Sequence, residues 1–590
     1  MSCPLVSIFA FVALSIAAFG LGRPLLRWIG VADDDGLATV AFSIGLGLTL
    51  AGLVLLLLGM AGVLYLAVVG MLTMLCCCWG LVEIGIVWLR SKEPVPDDFH
   101  RPGDSWEPTG NPPRSVPSRW LLAAGLTAAT IICVASLLNA LAPPTTTVTL
   151  SCQLESAKRC LVDHRIAALP AADPARPRLV DMWYLWALVF DSGVCAQLVH
   201  WGFGILLVLA TVTLATPLLG RPWAWMAGGL VVLTPAINQQ MSLPTESVAL
   251  AALGTLALAA WSQAVVHGAS RRWFIAAGLT AGGALGVHYA AALLLPAVAG
   301  AWAWMALRRV ERCRRLLRAA TMLFVGAVST GALGRLSLIW PAAKSACLAS
   351  AHAVPATLLD YLGLALLAAA PGVLLLRRLR GLGTVLSIAT VYAALAFSLS
   401  GDARLLFSAV PLLSVAAVWV WIEMRRFPPA ARWVGAAAFA VTIACSMAVS
   451  LVRSPDALAV ALGLEDREEY LLRSEPTYVA ATIANHVLRT NARLLSQERQ
   501  AFYFDCPVTW ENSLGRALDG EPFALSVHET VQRLRRAGFT HLLLAETAAN
   551  GRQPHASPLH RVADATPTLT DYCFRTADGK VRHYRLVMLR

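Results

Sequence analysis

A carboxylate at the mouth of an apolar run can accept a proton near neutral pH, and two such groups stand out here, Glu246 and Glu155. Glu246 follows Pro244 and Thr245 and opens a long apolar segment. The same placement serves a helix without any chemistry, since Thr245 as N-cap with an acid in the first turn favours the helix dipole. Glu155 lies in a polar stretch, Ala142 to Asp191, held between two very hydrophobic halves. Asp163 and Asp181 lie further along it, and all three also read as solvated surface charges. A membrane protein gains no stability from a polar loop of that length, whereas loops placed by a rigid scaffold are where binding and catalysis concentrate.

Groups suited to an anion lie elsewhere in the chain. His288, between two short apolar segments, can hold a phosphate or a metal, or simply close a hydrogen bond inside a bundle. Arg335, near the end of its apolar run, is costly in lipid and must face a cavity or snorkel outward, where it can meet a phosphate. Asp402 and Arg404 can pair as an interface salt bridge, or Arg404 can bind a lipid phosphate. Trp183, Tyr184 and Trp186 fit a short interfacial helix, with membrane anchoring ahead of sugar stacking. The 13 cysteines include no Cys-x-x-Cys pair or Cys/His ligand spacing, so no structural zinc site is expected. Cys152 with Cys160 and Cys506 with Cys573 are pairs that an oxidising outer face would allow, with connectivity left open.

The elements that must position these groups are membrane spans. The chain is 57% hydrophobic and only 14% charged, too little charge for the surface of a soluble protein of 590 residues. Apolar runs fall near 5–22, 37–58, 61–89 and 120–141 before the polar stretch, and near 196–217, 223–237 and 246–266 after it. Two short runs follow, 274–287 and 290–307, meeting at His288-Tyr289; further runs lie near 319–339, 356–376, 382–400, 405–424 and 433–452. This makes about fourteen spans. The first of the short runs reaches only about 21 Å, less than a hydrocarbon core, so the turn at His288 should line a cavity below the outer surface.

The net charge of +12 does not point to nucleic acid, because the arginines cluster in short loops as orientation signals do. Arg308, Arg309, Arg312, Arg314, Arg315 and Arg318 form the densest run. The bias puts the polar stretch and the C-terminus outside the cytoplasm. No basic residues precede the first apolar run, while Arg23 and Arg27 follow it, so it reads as a retained span and not a cleaved signal. Past Arg453 the composition changes. Glu475 to Arg489 has helical spacing, Phe502 to Phe504 and His541 to Leu544 read as short strands, and Tyr584 to Leu589 as a last one. Val527 to Ala537 reads as an amphipathic helix ending at Gly538. The expected organisation is therefore mostly α: a polytopic transmembrane domain over 1–452 with an outer loop at 143–195, and a small extracytoplasmic α/β domain over 453–590.

This architecture resembles the GT-C class of membrane glycosyltransferases, which includes protein mannosyltransferases, aminoarabinose transferases and core galacturonosyltransferases. Local text carries the likeness: Ala142-Pro143-Pro144-Thr145, Gln153-Leu154, Lys158, Arg165-Ile166 and Leu169-Pro170 in the polar stretch. It continues in Pro244-Thr245-Glu246, Gly286-Val287-His288-Tyr289 and Asp402-Ala403-Arg404-Leu405-Leu406. Tyr503 to Val508 and Ala537 to His541 match the tail of such proteins.

The resemblance implies transfer of a sugar from a polyprenyl-phosphate donor to a lipid or glycan acceptor on the outer side of a bacterial inner membrane. A loop carboxylate would be the general base. The expected acids fall on Thr146, Val148 and Ser151, the family's histidine on Gln153, and a lysine near the helical hairpin on His288. A hydroxyl has no basicity near neutral pH and cannot replace a carboxylate. Glu246, at the class's second acidic position, and Glu155 are thus the catalytic candidates. Thr146, Ser151, Gln153, Lys158, His288, Arg335, Asp402 and Arg404 are the substrate-binding candidates. A divalent metal is the one cofactor left open. Thr146 and Glu246 are expected to open into one outer hollow. The altered acids keep a second reading alive, a non-catalytic relative that binds lipid-linked glycans or scaffolds envelope assembly. A transporter is weaker, since no pair of matching halves is visible.

Overall fold

The computed structural model describes residues 4–31, 36–90, 119–166, 179–190, 193–266, 271–294, 298, 366, 388–393, 395, 403–424, 429–511, 526–547, 558–575 and 581–589. The chain gathers into two compact units. One comprises Met1–Leu141, His164–Ile166 and Pro177–Leu458, the other Ala142–Asp163, Ala167–Arg176 and Ala459–Arg590.

The first unit is helical because its sequence is a series of apolar runs in which only intra-segment hydrogen bonding satisfies the backbone. Its helices are α1 (Pro4–Ile29), α2 (Gly36–Met60), α3 (Leu66–Arg90), α4 (Arg119–Leu141), α6 (Leu179–Leu188), α7 (Gly193–Leu219), α8 (Arg221–Leu233), α9 (Pro235–Gln240), α10 (Ser247–Val266) and α11 (Arg271–Val287), with α5 (Leu154–Val162) in the second unit. Helices Val410–Glu423 and Pro429–Ala461 follow. Among the described residues, eight helices are long and apolar enough to cross a membrane, and the protein is a multi-pass membrane protein. The expected spans at 319–339 and 356–376, and most of those at 290–307 and 382–400, lie outside the described residues.

The degree of burial sorts these helices. The apolar window of α10 is 89% buried while that of α3 is 28% buried, so α10 is interior and α3 peripheral. Met71, Met74, Leu75 and Trp79 on α3 are exposed, side chains that only lipid would solvate without cost. Close crossing of α1 and α2 rests on Gly22 and Gly47: a Cβ on Gly47 would lie 1.7 Å from the Ala18 carbonyl oxygen, and one on Gly22 1.8 Å from that of Ser43. The run expected at 223–237 is interrupted, because Pro235 donates no hydrogen bond and Thr234 before it is extended at ψ 120°. Helix α6 is not interfacial. Trp183, Tyr184 and Trp186 are buried, and the indoles donate to the Leu48 carbonyl and the Thr73 hydroxyl, both at 2.7 Å. Their polar ends find partners inside the bundle, so no wet boundary is needed.

The second unit is built on a five-stranded sheet of order β2-β1-β3-β5-β4, with β1 (Leu494–Ser496), β2 (Val508–Trp510), β3 (His541–Thr547), β4 (Thr568–Arg575) and β5 (Val581–Met588). Strand β1 runs parallel to β2 and β3, while β5 is antiparallel to β3 and β4. Period-two alternation splits the core between two faces. Leu494, Leu543 and Leu586 meet Ala480, Ala481 and Ala484 of helix Pro476–Val487. Leu495, Leu542, Leu544 and Val587 meet Val531 and Leu534 of helix Val527–Arg536, together with Leu559 and Val562. Helix Val527–Arg536 opens with a capping box of Ser526 and Glu529, and the chain leaves it through Gly538 at φ +87°.

Phe502 to Phe504, expected as a strand, is a turn closed by the Phe504 amide on the Ala501 carbonyl. Its carbonyls are taken by side chains and not by a ladder: Lys158 Nζ donates to Phe502 at 2.9 Å and Phe504 at 2.7 Å, and Asn485 to Tyr503 at 3.0 Å. Neither of the pairs that the sequence allows, Cys152 with Cys160 or Cys506 with Cys573, is joined by a disulfide.

Candidate functional site

Glu246 stands immediately before α10, and its carbonyl accepts the Leu250 amide at 2.9 Å, so it occupies the N-cap position itself. Thr245 is not the cap: its hydroxyl is buried and has no hydrogen-bond partner. The Glu246 side chain retains 24% exposure and faces His288, with Oε1 3.9 Å from Nε2. That gap exceeds a hydrogen bond but leaves the two groups facing each other.

The opposite partner comes from a helix break. Helix α11 has 17 residues, about 26 Å of rise, and stops at His288, whose backbone is extended before the 3-10 turn Tyr289–Leu293. Imidazole Nδ1 accepts the Ala290 amide at 3.0 Å, which caps that turn. A nitrogen that accepts carries no proton, so in the neutral ring the proton sits on Nε2, the nitrogen that faces Glu246. The sequence thereby folds into a carboxylate and an N–H donor set opposite each other at two helix ends. The carboxylate of this pair can take a proton from a hydroxyl.

The Glu246 end is held by buried polar side chains that sequence reasoning passed over. His200 Nε2 donates to the Gln240 carbonyl at 3.1 Å, Gln197 Nε2 to Ser242 at 3.3 Å and the Tyr184 hydroxyl to Thr245 at 2.8 Å. Asn238 Nδ2 donates to the Ser450 hydroxyl at 2.9 Å and the Ser446 carbonyl at 3.2 Å on helix Pro429–Ala461. The signal was available: Gln197 and His200 are polar residues three apart in an otherwise apolar span, and such residues face a partner and not lipid.

The loop residues belong to the second unit and behave differently. Thr146 donates to the Thr149 hydroxyl at 2.9 Å, opening the π-helical turn Thr149–Gln153, where Ser151 lies 3.6 Å from Cys152 Sγ and Gln153 is buried. In α5, the Glu155 carboxylate pairs with Arg159 Nε at 2.5 Å, and its other oxygen is buried without a hydrogen-bond partner. Arg159 also donates to the Val508 carbonyl. Lys158 is spent on the Phe502 and Phe504 carbonyls, with the Phe502 ring 5.7 Å beneath it. Arg499 stacks on Trp510 at 5.2 Å and donates to Cys152 Sγ at 3.2 Å; Gln500 donates to the Thr147 hydroxyl at 3.0 Å and Tyr503 to the Pro144 carbonyl at 2.7 Å. Burial pushes the Tyr503 hydroxyl pKa well up, so it is a donor at any physiological pH.

The structure therefore brings Glu246 and His288 together, and gathers Thr146, Ser151, Gln153, Glu155 and Lys158 in a separate loop. Arg335 and Asp402 lie outside the described residues, as does the side chain of Arg404, whose backbone is in the 3-10 turn Ala403–Ser408. For a divalent metal, Glu246 supplies one donor and His288 would first have to release its Nε2 proton; among the described residues no group of three His, Cys, Asp or Glu is placed to hold a metal.

Solved structures of one membrane protein share this fold. ArnT from Cupriavidus metallidurans bound to undecaprenyl phosphate superposes with a TM-score of 0.52 at 13% identity, covering 80% of this chain and 99% of that one. The same protein in the apo state gives 0.50 at 16% identity, covering 80% and 98%. The Archaeoglobus fulgidus oligosaccharyltransferase gives 0.44 at 12% identity over 71% of this chain and 69% of that one. No family model and no curated protein matches the chain.

Proposed function

We propose, from a fold shared with ArnT and a carboxylate set against an imidazole at two helix ends, that this protein is a glycosyltransferase of the cytoplasmic membrane. It transfers a sugar from a polyprenyl-phosphate donor to a lipid or glycan acceptor outside the cytoplasm. Glu246 takes the proton from the acceptor hydroxyl as that oxygen bonds to the anomeric carbon. The bond from that carbon to the donor phosphate breaks, and polyprenyl phosphate leaves with the electron pair. The Nε2 proton of His288 faces the Glu246 carboxylate and favours its ionised, proton-accepting form. Arg335 and Arg404 are the candidates for the donor phosphate, since guanidinium groups match its geometry. The outward side is the one opposite the arginine-rich loops.

The observation that supports this reading most is the approach of Glu246 to His288. The test is incubation of membranes carrying the protein with radiolabelled undecaprenyl-phosphate sugars, comparing wild type with Glu246→Gln. Removal of a general base costs about 10²- to 10⁴-fold, so the variant should lose transfer. Unchanged transfer removes Glu246 from the role. A second reading, a non-catalytic binder of lipid-linked glycans, is favoured by Thr146 and Ser151 at positions where acids are expected and by the pairing of Glu155 with Arg159. Under it, wild type binds the donor lipid and transfers nothing.

A further inference from the structure

We infer that Tyr184, His200 and Gln197 are positioning residues for the Glu246 carboxylate, gripping the carbonyls of the turn that leads to it; this rests on Glu246 acting as the base. The turn from Met241 to Glu246 has no helix or strand of its own, and the Leu243 amide reaches back to the Gln240 carbonyl at the end of α9, at 3.1 Å. Three side chains supply the restraint instead. His200 holds the carbonyl that enters it, at Gln240, Gln197 one within it, at Ser242, and Tyr184 the one at Thr245, one residue before Glu246.

His200 and Tyr184 are fully buried and Gln197 is 4% exposed. Placing three polar side chains in an apolar bundle costs free energy that only their hydrogen bonds offset, so stability alone does not call for them. The two rings also act as one unit. A carbonyl only accepts, so His200 Nε2 carries a proton, and in the neutral ring Nδ1 presents its lone pair to the Tyr184 hydroxyl 2.9 Å away. The single tyrosine proton is therefore shared between Nδ1 and the Thr245 carbonyl at 2.8 Å. A change at His200 is felt at Thr245 through that proton, and at Glu246 through the next peptide unit.

The test uses the full chain in lipid nanodiscs with a radiolabelled undecaprenyl-phosphate sugar, comparing wild type, Tyr184→Phe, His200→Leu, His200→Gln and Glu246→Gln. Misplacing a base without touching substrate binding lowers kcat and spares KM. Tyr184→Phe and His200→Leu should lose about ten- to a hundredfold in kcat with KM within about twofold. His200→Gln keeps an N–H for the Gln240 carbonyl and should stay within about threefold of wild type. Amide exchange across 239–247 should rise at least about tenfold in the first two variants and not in the third. Unchanged kcat and exchange in Tyr184→Phe and His200→Leu, with Glu246→Gln inactive, overturns the inference. So does equal loss in both His200 variants. Wild type without transfer, or Glu246→Gln at full rate, sinks the reading of Glu246 as base and leaves exchange alone to decide whether the tether exists.

Discussion

Glu475 should make the C-terminal unit more stable in acid than at neutral pH. Its carboxylate is 1% exposed, and one oxygen accepts the Thr477 amide at 3.1 Å and hydroxyl at 2.6 Å. The other is buried without a hydrogen-bond partner. Burial outweighs the Thr477 bonds and the nearby Arg582, and pushes the pKa from 4.5 to about 7. Between those two values the folded chain holds a proton that the unfolded chain has released, so stability falls as pH rises. The contribution is complete below the unfolded pKa and is lost through the folded one. At 1.36 kcal/mol per pH unit, the shift corresponds to about 3 kcal/mol. Glu475→Gln mimics the protonated acid, keeping the acceptor for Thr477. Pulse proteolysis in urea between pH 4.5 and 8 reads unfolding directly. Wild type minus Glu475→Gln, which cancels every other titrating group, should drop by about 3 kcal/mol across that window. A flat difference refutes the reasoning, because a carboxylate that stays ionised at pH 5.5 is not paying for desolvation.

Three further outcomes follow from the same contacts. Lys158→Met removes two charge-assisted hydrogen bonds to Phe502 and Phe504, each worth about 1.5–3 kcal/mol; amide exchange across 149–162 should rise by at least about tenfold. Gly47→Ala puts a methyl 1.7 Å from a backbone oxygen of α1, and detergent-extracted protein should aggregate on size-exclusion chromatography where wild type elutes as a single peak. Ser526→Ala removes one half of the capping box and should cost about 1 kcal/mol in the same pulse-proteolysis assay.

The legible parts of the molecule were those governed by period and punctuation. Apolar runs located α1 to α4, α7 and α10, and the amphipathic repeat from Val527 to Ala537 that ends at Gly538 located a helix, whose capping box of Ser526 and Glu529 went unread. What escaped was decided by partners far away in the sequence. Phe502 to Phe504 alternates no differently from a strand, yet Lys158 and Asn485 claim its carbonyls. Trp183 and Trp186 have the composition of an interfacial belt, yet Leu48 and Thr73 supply acceptors inside the bundle. In the candidate site, Glu246 and His288 were both legible as types at helix ends, but their mutual approach was not, since it depends on where α11 stops. Glu155 looked available because its spacing of four from Arg159, which pairs the two once the segment is helical, was not read.

The segment Ala142–Asp163 folds with residues more than three hundred positions later, through Lys158, Arg159 and Tyr503. A ribosome delivers that segment long before its counterparts exist. During synthesis it must therefore wait, its cations solvated, while every later span is made. Docking is then among the last steps of assembly, and its timing is set by translation and insertion and not by the intrinsic speed of forming a single helix.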